Sequence, residues 1–462
     1  MDHYDVLIIG SGPGGEKAAV QSAKLSKRVA VIERKPFIGG AGIHTGTLPS
    51  KALRETAVYL AGLKQRAVYG FYCTLGRETT LEELMHRKTE VTRKQMEVVA
   101  DHFDRNNIEI IYGEASFVDK FCLAIKDNSG KVKEVSADVI VLAPGTRPAR
   151  PESVPFDAKH IHDSDTILEL KKLPATLTII GGGVIGSEYA CIFAALGVKV
   201  TLVEKKEKLL DFADDEMVTS LIYWMSHHNT TLRLGETLTS MEIEKEGRVI
   251  IKLESGKSVV SEKVLYTMGR VGNTDALNLK AIGIEPQERG LLKVNENFQT
   301  KENHIYAVGD VIGFPSLAST SREQGRLAIC HAFATNGGAC EIPGTMPFGI
   351  YTIPEISMVG ANERELTKQG IDYVAGTALF SEVARGQISG DNYGMLKLLF
   401  HRETLKLLGV HIIGDRASEL IHIGQAVMNY GGTIEYFKDT VFNFPTLSDA
   451  YKQAALNGFN KL

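Results

Sequence analysis

The chain has 462 residues, 44% hydrophobic and 23% charged, with a net charge of −4; this is ordinary globular composition, enough for about three domains of about 150 residues each. Acids and bases are interspersed, so no basic face marks a nucleic-acid or anionic-membrane partner, and small-molecule chemistry is expected instead. The five cysteines, Cys73, Cys122, Cys191, Cys330 and Cys340, form no CxxC or CxxH pair. That spacing argues against a disulfide framework or a zinc site and for buried free thiols; no metal is expected. Met1 leads almost at once into the apolar run 6–9, without a basic leader, and no apolar stretch approaches about 18 residues. A cytoplasmic protein without a membrane segment is the expectation.

In chain order, YDVLIIGSGPGGEKAAVQSAKLSKRVAVIE passes from an apolar run through a glycine-rich turn and a helical stretch to a second apolar run, the pattern of a βαβ unit. A helical region is expected near 81–106, followed by alternating strands that end at 138–143. The cluster Pro144, Gly145, Pro148 then marks a boundary. LTIIGGGVIGSEYACIFAALGVKVTLVE repeats the first pattern, so two nucleotide-binding units are expected. Strands at 263–268 and 305–308 run into Gly269-Arg270 and Gly309-Asp310, turns suited to ligand-bearing loops at strand carboxyl ends. From about residue 341, MLKLLFHRETLKLLGVHIIG alternates as antiparallel strands do, with an amphipathic helix near 418–428. The fold class is α/β: two Rossmann-like domains and a C-terminal α+β domain. The expected boundaries are 1–148 with 273–340, then 149–272, then 341–462.

In the first loop Gly10 permits the tight turn, Gly12 allows close approach of a pyrophosphate, and Gly15 allows close helix packing, while the helix start offers free N–H groups. Glu33 closes the second strand. Gly181, Gly183, Gly186 and Glu204 repeat the same spacing. A lone GxGxxG is weak, but a strand before it, an acid after it and a second copy make it specific.

These two loops, with GGAGIHTGTLPSK at 39–51, APGTRP at 143–148, MGRVGNT at 268–274 and YAVGD at 306–310, resemble the two-dinucleotide flavoprotein family that includes lipoamide dehydrogenase and glutathione reductase. The resemblance spans the whole chain. It implies FAD on the first unit, held by Gly10, Gly12, Gly14, Gly15, Glu33, Arg34, Gly40, Thr47, Lys51, Gly145, Gly309, Asp310, Leu317 and Ala318. It implies NAD or NADP on the second, held by Gly181, Gly183, Gly186, Glu204, Lys205, Lys206, Gly269 and Arg270. Lys51 and Glu188 are the implied catalytic pair beside the flavin, where a buried cation stabilises developing negative charge. Without the resemblance both would read as solvated helix charges, and Asp310 as a plain turn residue.

Disulfide reductases of this family carry two cysteines where this chain has Gly42 and Thr47, and a histidine before a proline where it has Phe444 before Pro445; of that second group only the acid Asp449 remains. Neither Gly42 nor Thr47 can form a thiolate, so thiol–disulfide exchange is excluded. GRVGNTD, GDVIGFPSLAS, IYTIPEISMVG and FNFPTLSDAYKQAALNGFNKL are most similar to the family's soluble, Si-specific pyridine nucleotide transhydrogenases. That branch implies ping-pong hydride transfer between NADPH and NAD+ through FAD, in a homodimer or higher homo-oligomer. Two other readings stay open: an NADH-specific diaphorase or quinone reductase, and a flavin-loaded structural subunit without turnover. Glu204 suits the 2′-hydroxyl of NAD and repels a 2′-phosphate, so acceptance of NADP turns on Lys205, Lys206 and Lys208, which could equally be a solvated charged turn.

Overall fold

The apolar run at 6–9 is buried on both faces, as a central parallel strand must be. A computed structural model describes residues 1–64, 81–334 and 345–462. The chain divides into two compact units: Met1–Ala52 with Met85–Arg150 and Gly269–Ile342, and Leu53–Leu84 with Pro151–Met268 and Pro343–Leu462.

In the first unit the strands Glu109–Tyr112, Val29–Glu33, Asp2–Ile9 and Val132–Leu142 lie side by side and parallel. Cys122–Lys126 and Glu114–Phe117 extend the sheet antiparallel, and Ile305–Ala307 adds in parallel to the carboxyl end of Val132–Leu142. Side-chain alternation sends Leu7 and Ile9 into one core with Ile32 and Leu142, and Val6 and Ile8 into another with Val31 and Phe103. The helix Pro13–Lys24 packs on Ala318–Ala332 so closely that a Cβ on Gly325 would stand 2.1 Å from the Gly14 carbonyl oxygen.

The second unit contains three sheets. Five parallel strands run in the order Thr230–Leu234, Lys199–Glu204, Thr176–Ile180, Lys263–Tyr266, Ile161–His162. Beside them is the antiparallel meander Leu238–Ile243, Val249–Leu253, Ser258–Ser261. The C-terminal sheet is antiparallel, with Leu407–Gly414 at its centre, and the helices Ala417–Asn429 and Asp449–Phe459 share its core. The segments expected as separate second and third domains thus fall in one compact unit, with separate sheets. Their junction explains this. Lys397 of the C-terminal sheet is buried, with its ammonium 3.0 Å from Asp214, 2.7 Å from Glu216 and paired to Glu363. Burial pulls its pKa down, but the carboxylates outweigh that and hold it above the usual lysine value. Among the described residues, no helix is long and apolar enough to cross a membrane.

Candidate dinucleotide sites

Each glycine loop joins the carboxyl end of a first strand to a helix. In the first unit Gly10 has φ 102°, and a Cβ there would stand 2.3 Å from the Ala143 carbonyl oxygen. A Cβ on Gly15 would stand 1.9 Å from Gly10 O, so glycine is forced at both positions. Glu33, at the end of its strand and buried, accepts from Ser11 N (3.0 Å), Ser11 Oγ (2.6 Å) and Lys35 N (2.9 Å). The Ser11 hydroxyl in turn accepts from Gly39 N at 2.9 Å, which ties the 39–40 turn onto the loop.

The first cradle fits a dinucleotide. Gly12 and Gly40 face each other so closely that a Cβ on Gly40 would lie 2.8 Å from Gly12 Cα. The helix beginning at Pro13 has no side-chain cap, so its first-turn N–H groups remain available to a pyrophosphate. Around the carboxyl ends of the other strands, Arg270 Nε donates to Thr146 Oγ1 (2.8 Å) and Thr146 Oγ1 to Asp310 (3.2 Å). Asn273 N donates to Gly145 O at 3.0 Å. Burial pushes the Asp310 carboxyl above the usual carboxylate value, opposed by the Arg270 charge and the Thr146 hydroxyl. Gly309 N donates to the buried Gln324 Oε1 at 2.8 Å, and Leu317-Ala318 open the next helix without a side-chain cap. Gly145, Gly269, Arg270, Gly309 and Asp310 therefore all lie in the first unit. Arg34 and Thr47 are exposed.

The second loop repeats the geometry with different contacts. Gly181 has φ 107°, and a Cβ on Gly186 would stand 1.8 Å from Gly181 O. Glu204 accepts from Gly182 N (2.5 Å) and Lys206 N (2.9 Å). Where the first loop has Ser11, Gly182 is crowded: a Cβ would meet Leu209 Cδ2 at 2.4 Å and Glu204 Cβ at 3.0 Å. Gly183 is exposed, and a Cβ on it would meet nothing within 4 Å. The lysines after the acid are exposed, with Lys206 Nζ 2.7 Å from Asp211 and Lys208 Nζ 3.4 Å from Asp215. The hydrogen bond to Asp211 raises the Lys206 ammonium above its ordinary value.

Glu188, on the helix Val184–Ala195, is buried and accepts from Tyr351 N at 2.9 Å. The strand-edge segment it receives is fixed by buried Arg54, which donates to Thr352 O at 2.9 Å and pairs with Glu355 at 3.1 Å. Lys51, in the part of the helix Thr47–Lys64 that belongs to the first unit, has its Nζ 3.4 Å from Ser50 Oγ. Among the described cysteines, Cys122, Cys191 and Cys330 are buried, and burial pushes the Cys191 thiol up to about 12. Cys73 and Cys340 lie outside the described residues. The contacts missed in the sequence are Ser11, Gln324, Arg54 and the acids Asp211 and Asp215. Only Ser11, set between loop glycines, has a local signal.

Residues 4–325 match the pyridine nucleotide-disulphide oxidoreductase family, and residues 346–455 match that family's dimerisation domain. The chain belongs to this family. It is 51% identical to the soluble pyridine nucleotide transhydrogenase of Mycobacterium bovis over 465 residues, covering 100% of this chain and 98% of the relative. It is 47% identical to the protein of the same name from Aliivibrio fischeri, at 100% and 98% coverage. Among solved structures, LpdA from Mycobacterium tuberculosis superposes with a TM-score of 0.90 at 25% identity, covering 99% of each chain. The HOCl-induced flavoprotein disulfide reductase RclA from Escherichia coli gives 0.88 at 25% identity, covering 98% of this chain and 99% of that one. The α/β architecture expected from the sequence is the family's, and FAD and nicotinamide nucleotides are the cofactors it implies.

Proposed function

We propose that the protein is a flavoprotein transhydrogenase that moves hydride from NADPH to NAD+ without a redox-active disulfide. The observation that carries this reading is the paired loops, each closed by a carboxylate on its own backbone, in a chain with Gly42 and Thr47 at the positions where a thiol relay would stand. The full-length transhydrogenase relatives support the choice of reaction.

Gly10, Gly12, Gly14, Gly15, Glu33, Arg34, Gly40, Thr47, Gly145, Gly309, Asp310, Leu317 and Ala318 would hold FAD, which when bound supplies two-electron hydride chemistry. Gly181, Gly183, Gly186 and Glu204, with Lys205 and Lys206, would hold the nicotinamide nucleotide. Lys51 would supply a fixed positive charge to the reaction, and Glu188 a buried carboxylate oriented by the Tyr351 N–H. The nucleotides take turns at one site, so NADP+ leaves before NAD+ enters and the kinetics are ping-pong. Residues 346–455 support a homodimer, and a cytoplasmic location belongs to the same reading.

The test mixes NADPH with thio-NAD+ and follows thio-NADH. Steady formation with parallel double-reciprocal lines is expected. Rapid dye or quinone reduction without thio-NADH at any nucleotide ratio would replace this reading with a diaphorase.

A further inference from the structure

Beyond the second glycine loop, the stretch 205–216 is organised in a way that binding one nucleotide does not require. Its two ends serve different masters. At the near end the Lys206 N–H donates to Glu204, which fixes the Lys206 backbone at the edge of that carboxylate while its side chain extends to Asp211. At the far end the C-terminal part of the same unit grips the backbone. Asn362 Nδ2 donates to Phe212 O at 3.3 Å, and Arg364 donates to the carbonyls of Asp211 and Ala213. Phe212 meets the Phe348 ring edge-on at 5.3 Å, and Lys397 anchors Asp214 and Glu216. The backbones of both members of the Lys206–Asp211 pair are thus held, so the longer lysine side chain is the member that can swing.

That asymmetry matters because Glu204 presents one problem to two nucleotides. Its remaining lone pairs can accept from a ribose 2′-hydroxyl, but its charge opposes a 2′-phosphate. A cation must therefore arrive with the phosphate and retire without it. We propose that Asp211 is the resting counter-charge of a two-position switch: it holds Lys206 when the adenosine 2′ position bears a hydroxyl and yields it when that position bears a phosphate, with Arg364 positioning Asp211.

The pair suits this task because both members are about half exposed or more, 62% for Lys206 and 48% for Asp211, and exposed ion pairs are among the weakest. Breaking it costs little, so one site serves both nucleotides. The inference rests on the second unit being the nicotinamide nucleotide site.

The test titrates the flavin-loaded, full-length protein with two redox-inert probes, ADP-ribose and 2′-phospho-ADP-ribose, by calorimetry. Lys206→Gln is expected to lower the ratio of affinity for the phosphorylated probe to that for ADP-ribose about tenfold. Asp211→Asn is expected to tighten the phosphorylated probe about threefold, an effect that vanishes when Lys206→Gln is added. Arg364→Gln is expected to shift the ratio of the two affinities in the same direction by less. A ratio unmoved by Lys206→Gln, or a weaker phosphorylated probe in Asp211→Asn, overturns the switch while leaving the nucleotide site standing. Failure of ADP-ribose itself to bind overturns both.

Discussion

The two glycine loops share a backbone plan and differ in how tightly they are closed. In the first, Glu33 is buried under three donors, and the Ser11 hydroxyl links it to the 39–40 turn. In the second, Glu204 has two backbone donors, Gly182 leaves no hydroxyl to bridge, and Gly183 faces open space. On the proposed reading, one serine set against one glycine separates the loop that would retain its cofactor from the loop that would exchange its substrate. This is the division of labour a resident cofactor and an exchanging substrate demand.

The sharpest way to break the comparison is to fill each cradle. Gly40→Val places a side chain against Gly12 at a residue with φ 64°, and the purified protein is expected to carry almost no flavin by its visible absorbance. Gly183→Ala meets nothing, so full flavin content is expected with only the nucleotide KM changed. Equal flavin loss in both would mean that the loops are not differentiated.

Next comes the support behind the second loop. Lys397→Met strands the buried Asp214 carboxylate and is expected to cost about 3–5 kcal/mol in chemical unfolding of the second unit. Because the Lys397 pKa is raised in the folded state, its contribution is fully present below the unfolded lysine value of about 10.4 and is lost as pH rises through the higher folded one. The gap between wild type and variant should therefore be constant from neutral pH upward and shrink only in strong alkali. A gap that closes near pH 7 would assign the effect elsewhere.

Smaller effects distinguish the two acids. Glu33→Gln removes charge from two buried hydrogen bonds and one part-buried, the buried ones each worth about 1.5–3 kcal/mol to a charged group; faster flavin loss on dilution is the expected outcome, with NADH KM unchanged. Glu204→Gln is expected to do the reverse, raising NADH KM with flavin retained. The smallest effect is none at all. Cys191, behind the second loop, has its thiol pushed up to about 12 by burial, so peptide mapping after alkylation of the native protein at pH 8 should find it unlabelled. Labelling at Cys191 with loss of hydride transfer would reopen a thiol route.

What could be read from the sequence follows from where each feature is encoded. The loops, the strands that feed them and the closing acids are local and periodic, so Gly10, Glu33, Gly181 and Glu204 announce themselves by spacing. The helices expected at 81–106 and 418–428 correspond to Leu81–Arg105 and Ala417–Asn429. The partners of Lys206 and Glu188 do not announce themselves. Asp211 looks like any loop acid until Arg364 and Asn362, far along the chain, fix its backbone, and the Tyr351 N–H has no sequence signature at all. The middle and C-terminal segments of the second unit meet at the Lys397 cluster among other contacts, and only the folded chain assembles its four members.

The strand Val132–Leu142 has a consequence for how the chain is made. Its carboxyl end pairs with Ile305–Ala307, and the entire second nucleotide-binding segment is synthesised between those partners. As the chain leaves the ribosome, the parallel strands at 161–266 are complete while the first sheet still lacks its last member. The flavin cradle, first in sequence, is therefore the later of the two to close, because Gly309 and Asp310 follow directly on that final strand.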